Sequence, residues 1–188
     1  MDHLSRFYIG SILLSLVTVS YIDIYIFTTF ILSTFVVSIL ELLSIPKKHW
    51  NFTKLIVLIN YLWFVNVIYN LSQYKQIIYI MVYNSIIDAI QYVAGKTIGY
   101  HKPFHFTSKS LEGYIAGIII TQLIFNYDHY FILLNILGMF GGIFSSIVKR
   151  NIGIKHWSTL LGPHGGINDR LDSLCAPIIF YLNFINYK

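Results

Sequence analysis

Residues 24–45 read Ile-Tyr-Ile-Phe-Thr-Thr-Phe-Ile-Leu-Ser-Thr-Phe-Val-Val-Ser-Ile-Leu-Glu-Leu-Leu-Ser-Ile, an apolar run with almost no charge. About 20 helical residues cross the roughly 30 Å hydrocarbon layer of a bilayer, so a run of this kind reads as a membrane span. Comparable runs lie on both sides of it. Together they give candidate spans at about 6–22, 24–45, 52–71, 76–94, 111–127, 129–148 and 172–187. The expected fold is an all-α polytopic transmembrane bundle of about seven spans. A single helix from Leu4 to Ile45 would be about 60 Å long at 1.5 Å per residue, too long for one crossing. A tight hairpin near Asp23 is therefore expected.

Composition agrees. Of 188 residues, 56% are hydrophobic and 11% charged, against about 25% charged in soluble domains. The net charge of +5 does not point to nucleic acid. Its carriers sit in short loops between apolar runs, as the positive-inside rule expects. With the hairpin at Asp23, Arg6, Lys47, Lys48, Lys54, Lys96, Lys102, Lys109, Lys149, Arg150, Lys155 and Arg170 share one side. Lys75 and Lys188 lie opposite. That bias places the two longest loops, about 95–110 and 149–171, on the cytoplasmic face. The N-terminal run has no small-residue cleavage site and reads as a retained span. One cysteine, Cys175, excludes an intrachain disulfide or a cysteine metal site.

Polar chemistry gathers in those loops. Ser146, Lys149 and Arg150 fall at i, i+3 and i+4, on one face of a helix leaving the membrane, and Lys and Arg both suit phosphate oxygens. In Gly162-Pro163-His164-Gly165-Gly166, the glycines allow backbone amides to approach an anion. Asn168 is a plausible helix N-cap, which would set Asp169 and Asp172 one turn apart on a wet helix end. Two carboxylates at the mouth of a span suit a Mg²⁺ ion bridging substrate phosphates. The plainer readings are an interfacial anchor, an ordinary turn and a solvated helix start. In the span 76–94, Asn84, Asp88 and Gln91 make a polar stripe that must face protein or water. Gly113 with Gly117, and Asn135, Gly138, Gly142 and Ser145, read as close-packing stripes.

Taken together these residues resemble the phosphatidate cytidylyltransferase (CDP-diacylglycerol synthase) family. The pattern Ser-x-x-Lys-Arg, Lys-Asp, Pro-Gly-His-Gly-Gly and Asp-Arg-x-Asp-Ser is matched in order and spacing over the 28 residues from Ser146 to Ser173. The matching positions are Ser146, Lys149, Arg150, Lys155, His164, Gly165, Gly166, Asp169, Arg170, Asp172 and Ser173. Asp88, Tyr92, Gly95, Lys109, Glu112 and Gly113 match a shorter upstream pattern, so the likeness covers about residues 84–176. Three departures stand out. His156 replaces the aspartate of Lys-Asp, Pro-Gly is transposed to Gly162-Pro163, and Phe106-Thr107-Ser108-Lys109-Ser110 replaces a Ser-Pro-Lys-Lys-Thr stretch.

The resemblance divides the chain into N-terminal membrane spans (1–75) and a cytidylyltransferase-like catalytic membrane region (76–188). It implies an enzyme that makes CDP-diacylglycerol and pyrophosphate from CTP and phosphatidate in the bilayer. Asp169 and Asp172, with Asp88 behind them, would hold Mg²⁺, with a monovalent cation as a second candidate ion. Lys149, Arg150, Lys155 and His164 would act on the phosphates. Ser146, Lys109, Gly165, Gly166, Arg170 and Ser173 would help bind substrate. A homodimer is the candidate assembly. A CDP-archaeol synthase-like enzyme, and a non-enzymatic transporter or inactive homologue, are the alternatives.

Overall fold

The computed structural model describes residues 15–46, 50–102, 109–125, 129–162 and 165–185. Residues 15–20 are helical, and the chain then turns through Tyr21 and Ile22. Asp23 caps the next helix, its side chain accepting from Tyr25 N at 2.6 Å. The break expected near Asp23 is present. From there run α1 (Ile24–Leu43), α2 (Trp50–Tyr69) and, after the short turn Leu71–Gln73, α3 (Tyr74–Thr97). Then come α4 (Leu111–Ile124), α5 (His129–Asn151), the one-turn α6 (Asn168–Leu171) and α7 (Cys175–Phe180), which continues as a π-helical turn over Tyr181–Ile185. No strand occurs among the described residues.

Four of these helices are long and apolar enough to cross a membrane: 24–43, 50–69, 71–97 and 130–151. Two more apolar helices, 111–124 and 175–185, are shorter. The chain is thus an all-α polytopic membrane bundle. The last span starts at Cys175 rather than at residue 172, because Asp172 and Ser173 are committed to the polar site. Of the first expected span, residues 6–14 lie outside the described set, as do Arg6, Lys47, Lys48 and Lys188.

Packing explains the arrangement. Phe27 and Ile31 of α1, Trp63 and Val67 of α2, Ile77 and Ile80 of α3, and Ile178 and Leu182 of the last helix form one fully buried cluster. The outward faces of α1 and α2 carry Tyr25, Val36, Leu40, Leu58 and Tyr61, all well exposed. Such an apolar exterior suits lipid rather than water. Gly113 and Gly117 bring α4 against α3 so closely that a Cβ would stand 2.6 Å from Gln91 O and 2.5 Å from Gln91 Cγ, respectively. The stripe on α5 is shifted from the expected one: Gly142 faces open space, whereas a Cβ on Gly141 would meet Asp172 O at 2.3 Å. Two contacts mark opposite ends of the bundle. Lys75 lies 5.2 Å from the Tyr21 ring, and Glu41 bonds the 158–168 segment.

Candidate active site

The polar residues come together where α5 ends and α6 begins. Lys149 Nζ donates to Asp169 Oδ1 at 2.7 Å and to Asp172 Oδ2 at 2.8 Å. The three side chains are 9, 6 and 8% exposed. The carboxylates are therefore buried and paired, not set on a wet helix end. Asp169 Oδ2 also accepts from Trp157 N at 3.0 Å and Gly166 N at 2.9 Å. Asp172 Oδ1 is buried and makes no well-formed hydrogen bond; the Ser145 hydroxyl is a weak neighbour. Burial pushes the Asp172 carboxyl above the ordinary carboxylate value, with the Lys149 ammonium pulling the other way.

This arrangement fits a divalent cation. Mg²⁺ is held by one or two carboxylates plus water and substrate phosphates rather than by an all-protein cage. Here two carboxylates converge on one point, already bridged by a cationic group, and one buried oxygen has spare acceptor capacity. Among the described residues no third His, Cys, Asp or Glu joins them.

Asp88 belongs instead to a neighbouring cluster. Its Oδ1 accepts from Lys109 Nζ at 2.5 Å and its Oδ2 from Ser173 Oγ at 2.9 Å. Lys109 also reaches Gln91 Oε1, and Asn84 Nδ2 holds Ser173 O at 2.6 Å. The stripe on α3 thus faces protein, and Ser173 joins its cluster to the Asp172 site.

The remaining candidates divide. Ser146 donates back to Gly142 O within α5. Arg150 does not share the Lys149 environment, since it is exposed and its Nη1 caps Ile154 O at 2.9 Å. Lys155 and Arg170 are also exposed. His164 and Pro163 lie outside the described residues, as do Phe106, Thr107 and Ser108. Gly165 has φ +81°, and a Cβ there would stand 2.4 Å from Asp169 Oδ2 and 2.9 Å from His156 Nδ1. Only glycine lets the backbone pass so close to the carboxylate in this conformation. His156 itself is 43% exposed, with Nδ1 3.8 Å from Asp169 Oδ2, beyond hydrogen-bond reach.

Asn168 is not the N-cap of α6. It lies inside the helix, and its side chain is buried, donating to Ser38 O and Glu41 and accepting from Ser38 Oγ and Asn60 Nδ2. The capping acceptor is Glu41, 126 residues earlier, which takes the Ile167 and Asn168 amides at 2.8 and 3.0 Å. Sequence reasoning passed over Glu41. The available signal was a lone acidic residue in an uncharged span, where such a residue is costly without partners.

Beside Asp172 opens a cavity of about 340 Å³ between α2, α5 and α7, with Asn60, Ser145 and Asn168 polar and Phe140, Phe144 and Ile179 apolar in its lining. A larger apolar groove of about 630 Å³ between residues 15–20, α1 and Leu160–Leu161 has no titratable side chain. Of the two, the smaller has a carboxylate, Asp172, in its lining.

A buried carboxylate pair bridged by a lysine thus stands at one end of a membrane bundle, next to a cavity with an apolar wall. The chain belongs to the Cytidylyltransferase family, which it matches over residues 7–188. It is 37% identical over 108 residues to the phosphatidate cytidylyltransferase of Aquifex aeolicus, covering 50% of this chain and 41% of that protein. It is 32% identical over 117 residues to the phosphatidate cytidylyltransferase of Haemophilus influenzae, covering 52% and 41%. A stretch of 117 residues is 38% identical to the uncharacterized protein YnbB of Escherichia coli, covering 53% and 39%. The matched stretches span about two fifths of those relatives.

Proposed function

We propose that the chain transfers the cytidylyl group of CTP to phosphatidate in the membrane, giving CDP-diacylglycerol and pyrophosphate. The observation that carries this reading is the Lys149-bridged pair Asp169 and Asp172 beside a cavity with an apolar wall. A phosphate head can reach the polar end of such a site while its chains remain among apolar side chains. Family membership and the phosphatidate cytidylyltransferases among the relatives support the same substrates.

The lipid phosphate oxygen attacks the α-phosphorus of CTP, a P–O bond forms, and the bond to the β-phosphate bridging oxygen breaks. The electron pair of that bond leaves with pyrophosphate. No protein nucleophile is needed, so the protein's work is to position two polyanions and neutralise their charge. Asp169 and Asp172 would hold Mg²⁺, which when bound screens the phosphates and stabilises the leaving oxygens. Lys149 keeps the carboxylates converged and offers its charge to an incoming phosphate. Lys155, Arg150 and Arg170 are exposed basic residues of the same segment, where CTP would arrive from water. The basic ends of the helices orient this face to the cytoplasm.

An assay of CTP incorporation comparing phosphatidate with ether isoprenoid lipids tests the reading. Preference for phosphatidate is expected, and equal use of the ether lipids would move the assignment to the archaeol-type enzyme.

A further inference from the structure

Glu41 lies in the last turn of α1 and is 7% exposed. Among the described residues no basic side chain forms an ion pair with it. A buried, unpaired carboxylate is expensive unless hydrogen bonds compensate it. Among the described residues its compensation comes from one segment. Oε1 accepts from Ser158 Oγ at 2.7 Å and Ile167 N at 2.8 Å; Oε2 accepts from Asn168 N at 3.0 Å and Asn168 Nδ2 at 2.9 Å. Ser158 follows Trp157, and Ile167–Asn168 follow Gly166; Trp157 and Gly166 are the residues whose amides hold Asp169 Oδ2. Glu41 therefore ties both arms of the loop that delivers Asp169. The fit is tight, since a Cβ on Gly166 would stand 2.6 Å from each Glu41 oxygen.

We infer that Glu41 is a positioning residue for the divalent-cation site, holding the loop so that Asp169 and Asp172 converge. The inference rests on the reading that these two carboxylates bind the cation. An isosteric glutamine has one acceptor oxygen where the carboxylate has two. Its amide would face the Asn168 donors and push the start of α6 away. Partners that orient metal ligands typically change metal affinity by about 10–100-fold when replaced.

The test measures Mn²⁺ binding to the purified full chain by the loss of the free-ion electron paramagnetic resonance signal, alongside turnover. Glu41→Gln should raise the Mn²⁺ dissociation constant at least about tenfold, with Mn²⁺ or Mg²⁺ at high concentration restoring part of the lost turnover. Trp63→Leu, a truncation in the buried cluster of α2, controls for general loosening and should shift the constant less than about twofold. Should Glu41→Gln fail to fold, Glu41→Asp keeps the charge but retracts it, and should weaken Mn²⁺ by a similar factor. Unchanged affinity in a folded Glu41 variant, equal weakening in Trp63→Leu, or no Mn²⁺ binding by the parent chain would each overturn the inference. A parent chain that binds Mn²⁺ but makes no nucleotide-lipid would defeat the proposed reaction alone, and the comparison of affinities would still decide the role of Glu41.

Discussion

Lys149 Nζ stands 2.7 Å from Asp169 Oδ1, with both side chains withdrawn from solvent. Because Asp172 completes the triad at 2.8 Å, the lysine is the positive charge that lets two carboxylates share one buried point. Breaking a buried ion pair from one side costs about 3–5 kcal/mol, since it strands the partner charge. Lys149→Met should therefore lower both turnover and thermal stability. Mg²⁺ should raise the melting temperature of the variant more than that of the parent chain, by replacing the missing charge. Thermal unfolding with and without Mg²⁺ checks this, and an equal response in both proteins would contradict it.

The two aspartates should separate in their variants. Asp172 meets Lys149 through Oδ2 alone, and its Oδ1 makes no well-formed hydrogen bond. Asp172→Asn should lower turnover at least about 100-fold, a barrier change of about 2.7 kcal/mol, with a smaller stability loss than Asp169→Asn, because the amide oxygen can still accept from Lys149 and Asp169 keeps that lysine paired. Asp169 also accepts two backbone amides through Oδ2. Hydrogen bonds to a charged group contribute about 1.5–3 kcal/mol each, so Asp169→Asn should lose stability as well as turnover. Steady-state rates and melting curves on both variants test the contrast. Parent-like turnover in Asp172→Asn would remove it from the site.

How much of this was legible in the sequence depended on whether the signal was local. The apolar run 24–45 and the break at Asp23 follow from length and charge alone. Asp169, Asp172 and Lys149 stood out because their spacing is held within 28 residues. What could not be read was partnership across the bundle. Asn168 looked like a cap because the residues around it look like a helix start, yet Ser38, Glu41 and Asn60 draw its side chain inward. Gly141 rather than Gly142 makes the close approach on α5, since the Asp172 carbonyl faces that position. Arg150 and Lys149 are neighbours in sequence but part company, one capping Ile154 and the other buried with the aspartates.

His156 stands where the family pattern has aspartate, and its ring is too far from Asp169 to bond it. A neutral imidazole is a poor ligand for Mg²⁺, which favours hard oxygens. His156→Ala should cost less than about tenfold, a barrier change under about 1.4 kcal/mol, and His156→Asp should leave turnover equal or higher. A loss in His156→Ala as large as that of Asp172→Asn would make the imidazole central to the reaction.

Orientation is testable with single cysteines in a Cys175→Ser background, where the natural thiol is already buried. Cysteines at the exposed positions Lys155 and Lys102 should resist impermeant reagents in intact cells and react after lysis. One at Tyr69, exposed near the Lys75 end of the bundle, should react from outside. Labelling of position 155 in intact cells would invert the topology.

The proposed reaction turns on attack by a lipid phosphate on the α-phosphorus of CTP at the Asp169–Asp172 site. The most direct measurement gives the purified chain Mg²⁺, phosphatidate and CTP labelled at either the α- or the γ-phosphorus, then counts label in the lipid phase. The expected result is α-label in CDP-diacylglycerol and γ-label released as pyrophosphate, with both lost in EDTA and strongly reduced in Asp172→Asn. Transfer of γ-label to lipid, or CTP breakdown with no lipid product, would contradict it.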